Sequence, residues 1–288
     1  MKLGNNLILV LSGLSFEAVR AHSYVTSFII DGVTYSGFHP RDPAANPDVI
    51  AAWRTEVPDD GWVGANDYDK PDIVCHINAT NANGNLELEA GNTISFQWNG
   101  WPESHHGPVI TYMAYCGEES DSCMRANKTE LDFFTVDEVG LISPNETLSL
   151  YPSAMGIWAT DILISNNNSF SVEIPPTLSP GNYVLRHEII ALHYARKPNL
   201  GPQHYPQCVN LMISGNGTAK PEGIPATALY GNPEDSAGLG YDIYQDPLPM
   251  PYPIPGPDLI EEAVPSAEQT PNVITSTGTA EAAEPTTT

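Results

Sequence analysis

The chain has 288 residues, of which 11 are Lys or Arg and 35 are Asp or Glu, and its formal net charge is −24. Nucleic-acid binding depends on basic side chains that replace phosphate counterions, so this balance excludes nucleic acids as partners and disfavours docking on anionic membranes. A hydrophobic fraction of 41% allows a sizeable core, and an uncharged polymer remains an allowed partner.

Residues 1–21 are predicted to be a secretory signal peptide. Lys2 precedes an apolar run at 7–11, and Val19 and Ala21 match the −3 and −1 positions of a signal-peptidase site. The apolar run is too short to span a membrane. Cleavage after Ala21 would make His22 the first residue of a secreted, extracellular protein.

The region from residue 22 onward is predicted to form strands joined by long loops. Asp31 and Gly32 form a hairpin turn signal, and Phe170, Val172 and Ile174 alternate with polar residues on one strand face. Strands are expected at 23–30, 33–35, 93–98, 108–115, 169–174, 183–193 and 209–213, and short helices at 46–53 and 128–136. The pattern favours an all-β fold, an immunoglobulin/fibronectin-III-like antiparallel β-sandwich with long loops and short helices.

The composition changes near residue 246. Proline occupies every second position from Pro247 to Pro257, which predicts an extended segment. Beyond Asp258 the chain is rich in Thr, Glu, Ala and Pro, a composition typical of disorder. We therefore expect one folded domain at 22–258 and a disordered tail at 259–288.

The cysteines and glycosylation sequons agree with secretion. Four cysteines allow three pairings, and the short acidic loop between Cys116 and Cys123 favours that pair, which leaves Cys75 with Cys208. Sequons for N-glycosylation occur at Asn78, Asn127, Asn145, Asn167 and Asn216.

A histidine at a free N-terminus has distinctive metal chemistry. Its α-amine and ring Nδ1 can chelate the same ion, and both groups lose their protons to a metal near neutral pH. One more imidazole would give three nitrogens in a flat arrangement, which favours copper. That imidazole is expected in the Pro/Gly-rich segment 101–109, where only one of the adjacent His105 and His106 can face the metal.

Several blocks of sequence resemble the fungal cellulose-active lytic polysaccharide monooxygenases of auxiliary activity family 9, formerly glycoside hydrolase family 61. The blocks follow the family order over roughly residues 22–258, and their combination is highly specific. They are His22-Ser23-Tyr24-Val25, Pro71-Asp72-Ile73-Val74-Cys75, Ser104-His105-His106-Gly107-Pro108-Val109, Gly156-Ile157-Trp158-Ala159, Tyr183 to His193, Tyr205-Pro206-Gln207-Cys208, Asp242-Ile243-Tyr244-Gln245 and Ile254-Pro255-Gly256-Pro257.

The resemblance implies one copper ion held by the amine and ring of His22 and by the ring of His105. Tyr205 would lie axially at longer range with its phenol protonated. Gln203 and His193 would lie behind these ligands and hydrogen-bond to the oxygen co-substrate, and Tyr244 would stack on sugar rings at a flat substrate face.

The resemblance also implies the chemistry and the partners. A secreted monomer would cleave β-1,4-glucan (cellulose) oxidatively at C1 and/or C4 with O2 or H2O2. Electrons would come from a small phenol or from cellobiose dehydrogenase.

Two other functions remain open at this point. A glycoside hydrolase would use two of the many carboxylates, although no motif singles out a pair. A secreted copper-binding protein could share the histidine pair without catalysis. Tyr205, His193 and Tyr244 could also be ordinary packing residues, and Gln203 could be an ordinary loop residue. On spacing alone, His105 and His106 could be surface-loop residues or hydrogen-bonded histidines without a metal.

Overall fold

The structure is a computed structural model that describes residues 23–57, 61–148, 154–197 and 199–283. The predicted signal peptide, His22 and residues 284–288 lie outside the described residues. In the described part, none of the helices has the length and apolarity that crossing a bilayer requires.

Strands dominate the described chain, and the helices are short. The strands are β1 (Val25–Ile30), β2 (Val33–Ser36), β3 (Gly84–Glu89), β4 (Thr93–Trp98), β5 (Val109–Gly117), β6 (Asp132–Val139), β7 (Leu141–Ser143), β8 (Ile157–Trp158), β9 (Ser169–Glu173), β10 (Gly181–Ala191), β11 (Gln203–Ser214), β12 (Ile224–Pro225), β13 (Ser276–Thr277) and β14 (Glu281–Ala282). The α-helices are α1 (Asp72–Cys75), α2 (Ser122–Arg125) and α3 (Ala159–Ser165), and single 3₁₀ turns occur at Pro43–Ala45, Ala65–Asp67, Lys128–Glu130 and Ala226–Ala228.

Two sheets form a sandwich. Within the described residues, one sheet has the strand order β13-β2-β1-β4-β9 and the other has the order β12-β6-β5-β10-β11-β3-β14. Phe28, Phe96 and Phe170 are cross-strand partners on β1, β4 and β9, and they bury their rings between the sheets. The ring of His187, from β10 of the opposite sheet, stacks on Phe96 with centroids 4.1 Å apart. Burial lowers the pKa of His187 to about 3, so this imidazole is a neutral core residue.

The predicted β-sandwich is confirmed, with two refinements. Asp31 and Gly32 both have positive φ angles, 49° and 78°, as the hairpin between β1 and β2 requires. The sheets are not wholly antiparallel, because β3 runs parallel to β11 and β13 runs parallel to β2.

Both predicted helices were wrong. Residues 46–53 carry buried side chains, but their backbone bonds to neighbouring segments: Trp53 N donates to Cys208 O, and Ile50 O accepts from Gly84 N. Only Lys128–Glu130 of the second segment is helical, and β6 begins at Asp132. Tertiary pairing therefore overrides the local pattern in both places.

A second core lies on the outer face of the seven-stranded sheet. Side chains of β10 and β11 that point away from the other sheet meet α1 and the loops there. The Arg186 guanidinium donates to the carbonyl oxygens of Ile73 and Val74 in α1 and to both carboxylate oxygens of Glu188, at 2.7 and 2.8 Å. The expected disulfides Cys75–Cys208 and Cys116–Cys123 are both present, and the first one fastens α1 to β11.

Residues 259–283 lie along the sandwich, in contrast to the disordered tail that their composition predicts. Gln269 and Asn272 bond to Ser171, Ser169 and Ser95 on the five-stranded sheet. β13 then pairs with β2, and β14 pairs with β3 of the other sheet. Polar side chains of this segment thus form specific hydrogen bonds to the sheet surface. Amino-acid composition alone does not reveal such bonds.

We expect deletion of residues 259–288 to lower the thermal midpoint of unfolding by about 5–10 °C. Net hydrogen bonds contribute about 1 kcal/mol each, and 1 kcal/mol corresponds to about 2–4 °C in a domain of this size. Differential scanning calorimetry measures the change. Deletion of 284–288 alone is the matched control, and equal midpoints for both deletions would contradict a structural role for 259–283.

Asp137 is a buried carboxylate on β6 beneath this segment, and Ser266 donates a hydrogen bond to it. Burial raises the pKa of Asp137 to about 6, against the opposing hydrogen bond from Ser266. A carboxyl whose pKa rises on folding holds its proton more tightly in the folded chain. Its contribution to stability is therefore largest below about pH 4 and is lost as pH rises through about 6.

We accordingly expect Asp137→Asn to stabilise the fold at pH 7, by at most about 3 kcal/mol, while keeping an acceptor for Ser266. The difference from wild type should shrink as pH falls from 6 to 4. Urea unfolding at several pH values measures it, with the exposed Asp132→Asn on the same strand as control. A stability difference between Asp137→Asn and wild type that does not vary with pH would contradict the raised pKa of Asp137.

Candidate metal centre

His105 lies in a turn just before β5. Its backbone N–H donates to Pro102 O at 3.0 Å, and Ser104 Oγ is hydrogen-bonded to its Nδ1 at 3.0 Å. The indole of Trp101 donates to His105 O at 2.9 Å. These bonds fix the orientation of the His105 ring.

Gly107 brings this turn against the end of β10. A Cβ atom there would lie 1.8 Å from Ile190 O, so only glycine fits. On either side of it, Leu192 N donates to His106 O and Ile190 N donates to Pro108 O. The close approach places His105 beside His193, which begins the turn after β10, with ring centroids 3.8 Å apart.

Gln203 and Tyr205 reach the same place from β11. Antiparallel pairing sets Gln203 opposite Ala191 and Tyr205 opposite Ile189. Side chains two residues apart on a strand lie on the same face of the sheet. The side chains of Gln203 and Tyr205 therefore both point between the two sheets, at the end of the sandwich where His193 lies. Tyr205 OH donates to Gln203 Oε1 at 2.8 Å, and its ring lies 5.0 Å from that of Trp101.

The structure therefore brings together His105, His193, Gln203 and Tyr205, all of them buried. Burial raises the pKa of Tyr205 well above its usual value, so its phenol stays protonated. His22 lies outside the described residues. Among those that are described, no three or more His, Cys, Asp or Glu side chains form a metal-binding group.

The first described residues lie next to this cluster. Ser23 Oγ donates to Gly100 O, and Tyr24 N donates to Asn99 Oδ1 at 3.1 Å. Val25 N donates to the side chain of Gln207, two residues after Tyr205. Ser23 is thus tied to the loop that leads directly to Trp101 and His105.

Exposed aromatic rings surround the cluster. Tyr244 is 49% exposed, and its hydroxyl donates to His193 O at 3.2 Å. Tyr194 is 39% exposed, with its ring 4.2 Å from that of His193. The sequence analysis selected Tyr244 but not Tyr194 or Trp101. Tyr194 could have been found, because it directly follows His193 in the chain. Tyr230 and Tyr241, by contrast, are buried in packing.

The remaining described histidines have other partners. His106 faces away from His105, with Nδ1 3.2 Å from Asp161 of α3. His204 points to the outer face of its sheet, between Glu188 and Tyr68. His76 accepts a hydrogen bond at Nδ1 from Ile77 N. The expectation that only one histidine of the 105–106 pair faces the cluster agrees with this geometry.

The model of auxiliary activity family 9 (AA9, formerly GH61) matches residues 22–252. The chain belongs to this family. AA9 family lytic polysaccharide monooxygenase D of Podospora anserina is 42% identical over 272 residues, which cover 94% of this chain and 74% of that relative. Monooxygenase A of Malbranchea cinnamomea is 46% identical over 245 residues, which cover 84% and 68% of the two chains.

A solved AA9 structure has the same fold. The extended catalytic domain of H. jecorina LPMO9A superposes with a TM-score of 0.80 at 41% identity, covering 91% of this chain and all of that one. This AA9 chain is accordingly an enzyme, a lytic polysaccharide monooxygenase, and polysaccharides are its substrate class. The glycoside hydrolase alternative is set aside by this assignment.

We expect Gly107→Ala to lower the thermal midpoint of this AA9 domain by at least about 5 °C. The added methyl must displace Ile190 O, and overpacking of this kind costs about 1–3 kcal/mol or more. Gly231→Ala is the matched control, because a Cβ there meets nothing within 4 Å. A midpoint equal to that of the control would show that the close approach is not required.

Proposed function

We propose that the chain is a secreted, copper-dependent monooxygenase that cleaves β-1,4-glucan (cellulose) oxidatively at C1 and/or C4. It would use O2 or H2O2 with an external reductant such as a small phenol or cellobiose dehydrogenase. The observation that carries the proposal is the convergence of His105, His193, Gln203 and Tyr205 at one end of the sandwich of an AA9 chain.

The donor set fits copper. Imidazole nitrogens suit copper, which also heads the affinity order of the divalent first-row metals. His105 would supply one imidazole nitrogen, and the hydrogen bond between its Nδ1 and Ser104 Oγ orients the ring. The α-amine and ring of His22 would complete three nitrogens. Ser23, to which His22 is bonded, is tied to Gly100 beside the loop that carries His105.

Copper bound there would supply the one-electron chemistry that activates O2 or H2O2 for hydroxylation of a C–H bond. The hydroxylated carbon then expels the neighbouring sugar and so breaks the glycosidic bond. With H2O2 the second oxygen atom leaves as water. With O2 the external reductant supplies the electrons and the solvent supplies the protons.

The side chains around the ligands have separate tasks. Burial keeps the Tyr205 phenol protonated, and its O–H donates a hydrogen bond to Gln203 Oε1, so the amide oxygen is held and the amide NH2 group is the donor. His193 lies against His105 and can hydrogen-bond to the oxygen co-substrate. Tyr194 and Tyr244 expose rings beside this place, where the apolar face of a sugar can stack.

Secretion is part of the proposal, because the His22 amine exists only after cleavage at Ala21. All five sequon asparagines among the described residues are exposed, as glycosylation requires, at Asn78, Asn127, Asn145, Asn167 and Asn216. The intact mass of the secreted protein reports both its first residue and its glycans. We propose a monomer.

We expect His105→Ala to abolish release of oxidised oligosaccharides from cellulose with ascorbate and copper. Loss of one of three nitrogens should also weaken copper binding by more than about 100-fold, since removing groups behind metal ligands already costs 10–100-fold. Mass spectrometry of the products and calorimetric titration with copper measure the two effects. We expect His22→Ala in the secreted protein to cause the same loss of oxidised products and the same weakening of copper binding.

His39→Ala is the control, since His39 is partly exposed and is not in the proposed ligand set. Full activity and full copper affinity in His105→Ala would contradict the proposed site. A wild type that binds copper tightly but releases no oxidised product would instead indicate a copper-binding protein without catalysis.

A further inference from the structure

The pair Asn99–Gly100 holds the first described residues next to the metal centre. Asn99 N donates to Tyr24 O at 3.1 Å, and Tyr24 N donates to Asn99 Oδ1 at 3.1 Å. Ser23 Oγ donates to Gly100 O. These contacts tie Ser23, which directly follows His22 in the chain, to a single peptide link.

The local structure favours both residue types at this link. In a regular antiparallel pair, Tyr24 N would donate to the main-chain carbonyl of its partner residue. Here the side-chain Oδ1 of Asn99 accepts instead, so a short side chain with an oxygen acceptor is needed. Gly100 has a φ of 125°, a conformation that residues with a side chain rarely adopt. The attachment of the N-terminal segment therefore depends on an Asn-Gly sequence.

An Asn-Gly link can deamidate without an enzyme, because the flexible glycine lets its backbone nitrogen reach the preceding side-chain amide. That nitrogen attacks Cγ of the asparagine and closes a five-membered succinimide ring, and Nδ2 leaves as ammonia with the proton of the glycine N–H. Water then opens the ring at one of its two carbonyl carbons. Opening at Cγ gives aspartate, and opening at the main-chain carbon gives isoaspartate, in which the main chain runs through Cβ and Cγ.

The surroundings of Asn99 and Gly100 allow this reaction. Both residues are partly exposed, and a Cβ atom at Gly100 would meet nothing within 4 Å, so the ring and the attacking water have room. Among the described residues, none accepts a hydrogen bond from Gly100 N or from Asn99 Nδ2. The attacking nitrogen and the leaving group are therefore both unrestrained by the protein.

The Asn-Gly pair at Asn83 shows the opposite arrangement. Gly84 N donates to Ile50 O at 3.0 Å, so the attacking nitrogen is already engaged. Asn83 Oδ1 accepts from Ile50 N at 3.1 Å, and Asn83 Nδ2 donates to Asp48 O at 2.8 Å. The same dipeptide is thus fixed at Asn83 and free to react at Asn99.

We propose that Asn99 is a site of spontaneous deamidation and that its isoaspartate product disables the metal centre. The first half of the inference is independent of the proposed function. The second half rests on it, because it assumes a copper ion bound by His22 and His105.

The two products differ in their effect on the attachment. Aspartate keeps the length of the main chain and an oxygen that accepts from Tyr24 N. Isoaspartate makes the main chain one carbon longer, so Gly100 must move relative to Tyr24 or to Trp101. Trp101 is fixed on its other side, because its backbone N–H donates to Asn168 Oδ1 at 2.9 Å and its indole donates to His105 O. The longer chain therefore displaces the N-terminal segment from His105.

The test is timed incubation of the copper-loaded secreted protein in a mildly alkaline buffer, which promotes loss of the Gly100 N–H proton. Peptide mapping with fragmentation that distinguishes aspartate from isoaspartate measures both products at every asparagine. Calorimetric titration after removal of copper measures the number of tight copper sites per chain. We expect isoaspartate to form at Asn99 at least about tenfold faster than at Asn83, where several hydrogen bonds must open first.

The fraction of chains that lose the tight copper site should equal the fraction with isoaspartate at position 99. Asn99→Gln should show no decline with time, because glutamine would have to close a less favourable six-membered ring. Asn216→Gln is the matched control and should decline as wild type does. It removes an exposed Asn-Gly pair in the turn after β11, at the opposite end of that strand from Gln203.

The wild-type time course decides the inference even if Asn99→Gln does not fold. No isoaspartate at position 99, or tight copper sites that persist in chains that carry it, would overturn the inference. Oxidised products from cellulose in that case would leave the proposed function intact. Fresh wild type that binds no copper would instead refute the proposed function, and peptide mapping would still decide whether Asn99 deamidates.

Discussion

The pairing register of β10 with β11 is the constraint on which the metal centre depends. Eleven consecutive residue pairs set Gln203 opposite Ala191 and Tyr205 opposite Ile189. A slip of one residue would turn Gln203 and Tyr205 to the outer face and bring His204 inward. The cluster around His105 therefore exists because two long strands bury different residues on each of their faces.

The outer-face residues of the same two strands hold that register. Burial alone would raise the pKa of Glu188, but Arg186 and His204 outweigh it and lower the pKa to about 2. A buried ion pair of this kind adds little net stability, since desolvation offsets much of the attraction. Its directional bonds to α1, β10 and β11 nevertheless match only one alignment, and the Cys75–Cys208 disulfide fixes the same alignment covalently.

Sequence alone predicted those parts of the molecule that local pattern determines. Alternation located β1, β4, β5, β9 and β10. The choice of His105, His193, Gln203 and Tyr205 came from the family resemblance, because spacing alone does not select them. The segments 46–53 and 259–283 were mispredicted, because their partners are distant strands that no local pattern encodes. Tyr194 was missed for the opposite reason: an exposed ring in a turn has no periodicity, and only its contact with His193 gives it a role.

In this AA9 chain, the residues proposed for oxygen chemistry and the residues proposed to contact the polysaccharide lie in different kinds of structure. The groups proposed to handle oxygen lie on strand ends and on one glycine-dependent turn, where packing tolerates little change. The exposed rings of Tyr194 and Tyr244 belong to loops, which can change length and composition without disturbing the sandwich. The loop surface that carries Arg196, Lys197, Asp67, Glu234 and Asp242 is mixed in charge, although the chain as a whole is strongly acidic. Selection among polysaccharides can therefore act on the loops while the strand-borne site remains the same.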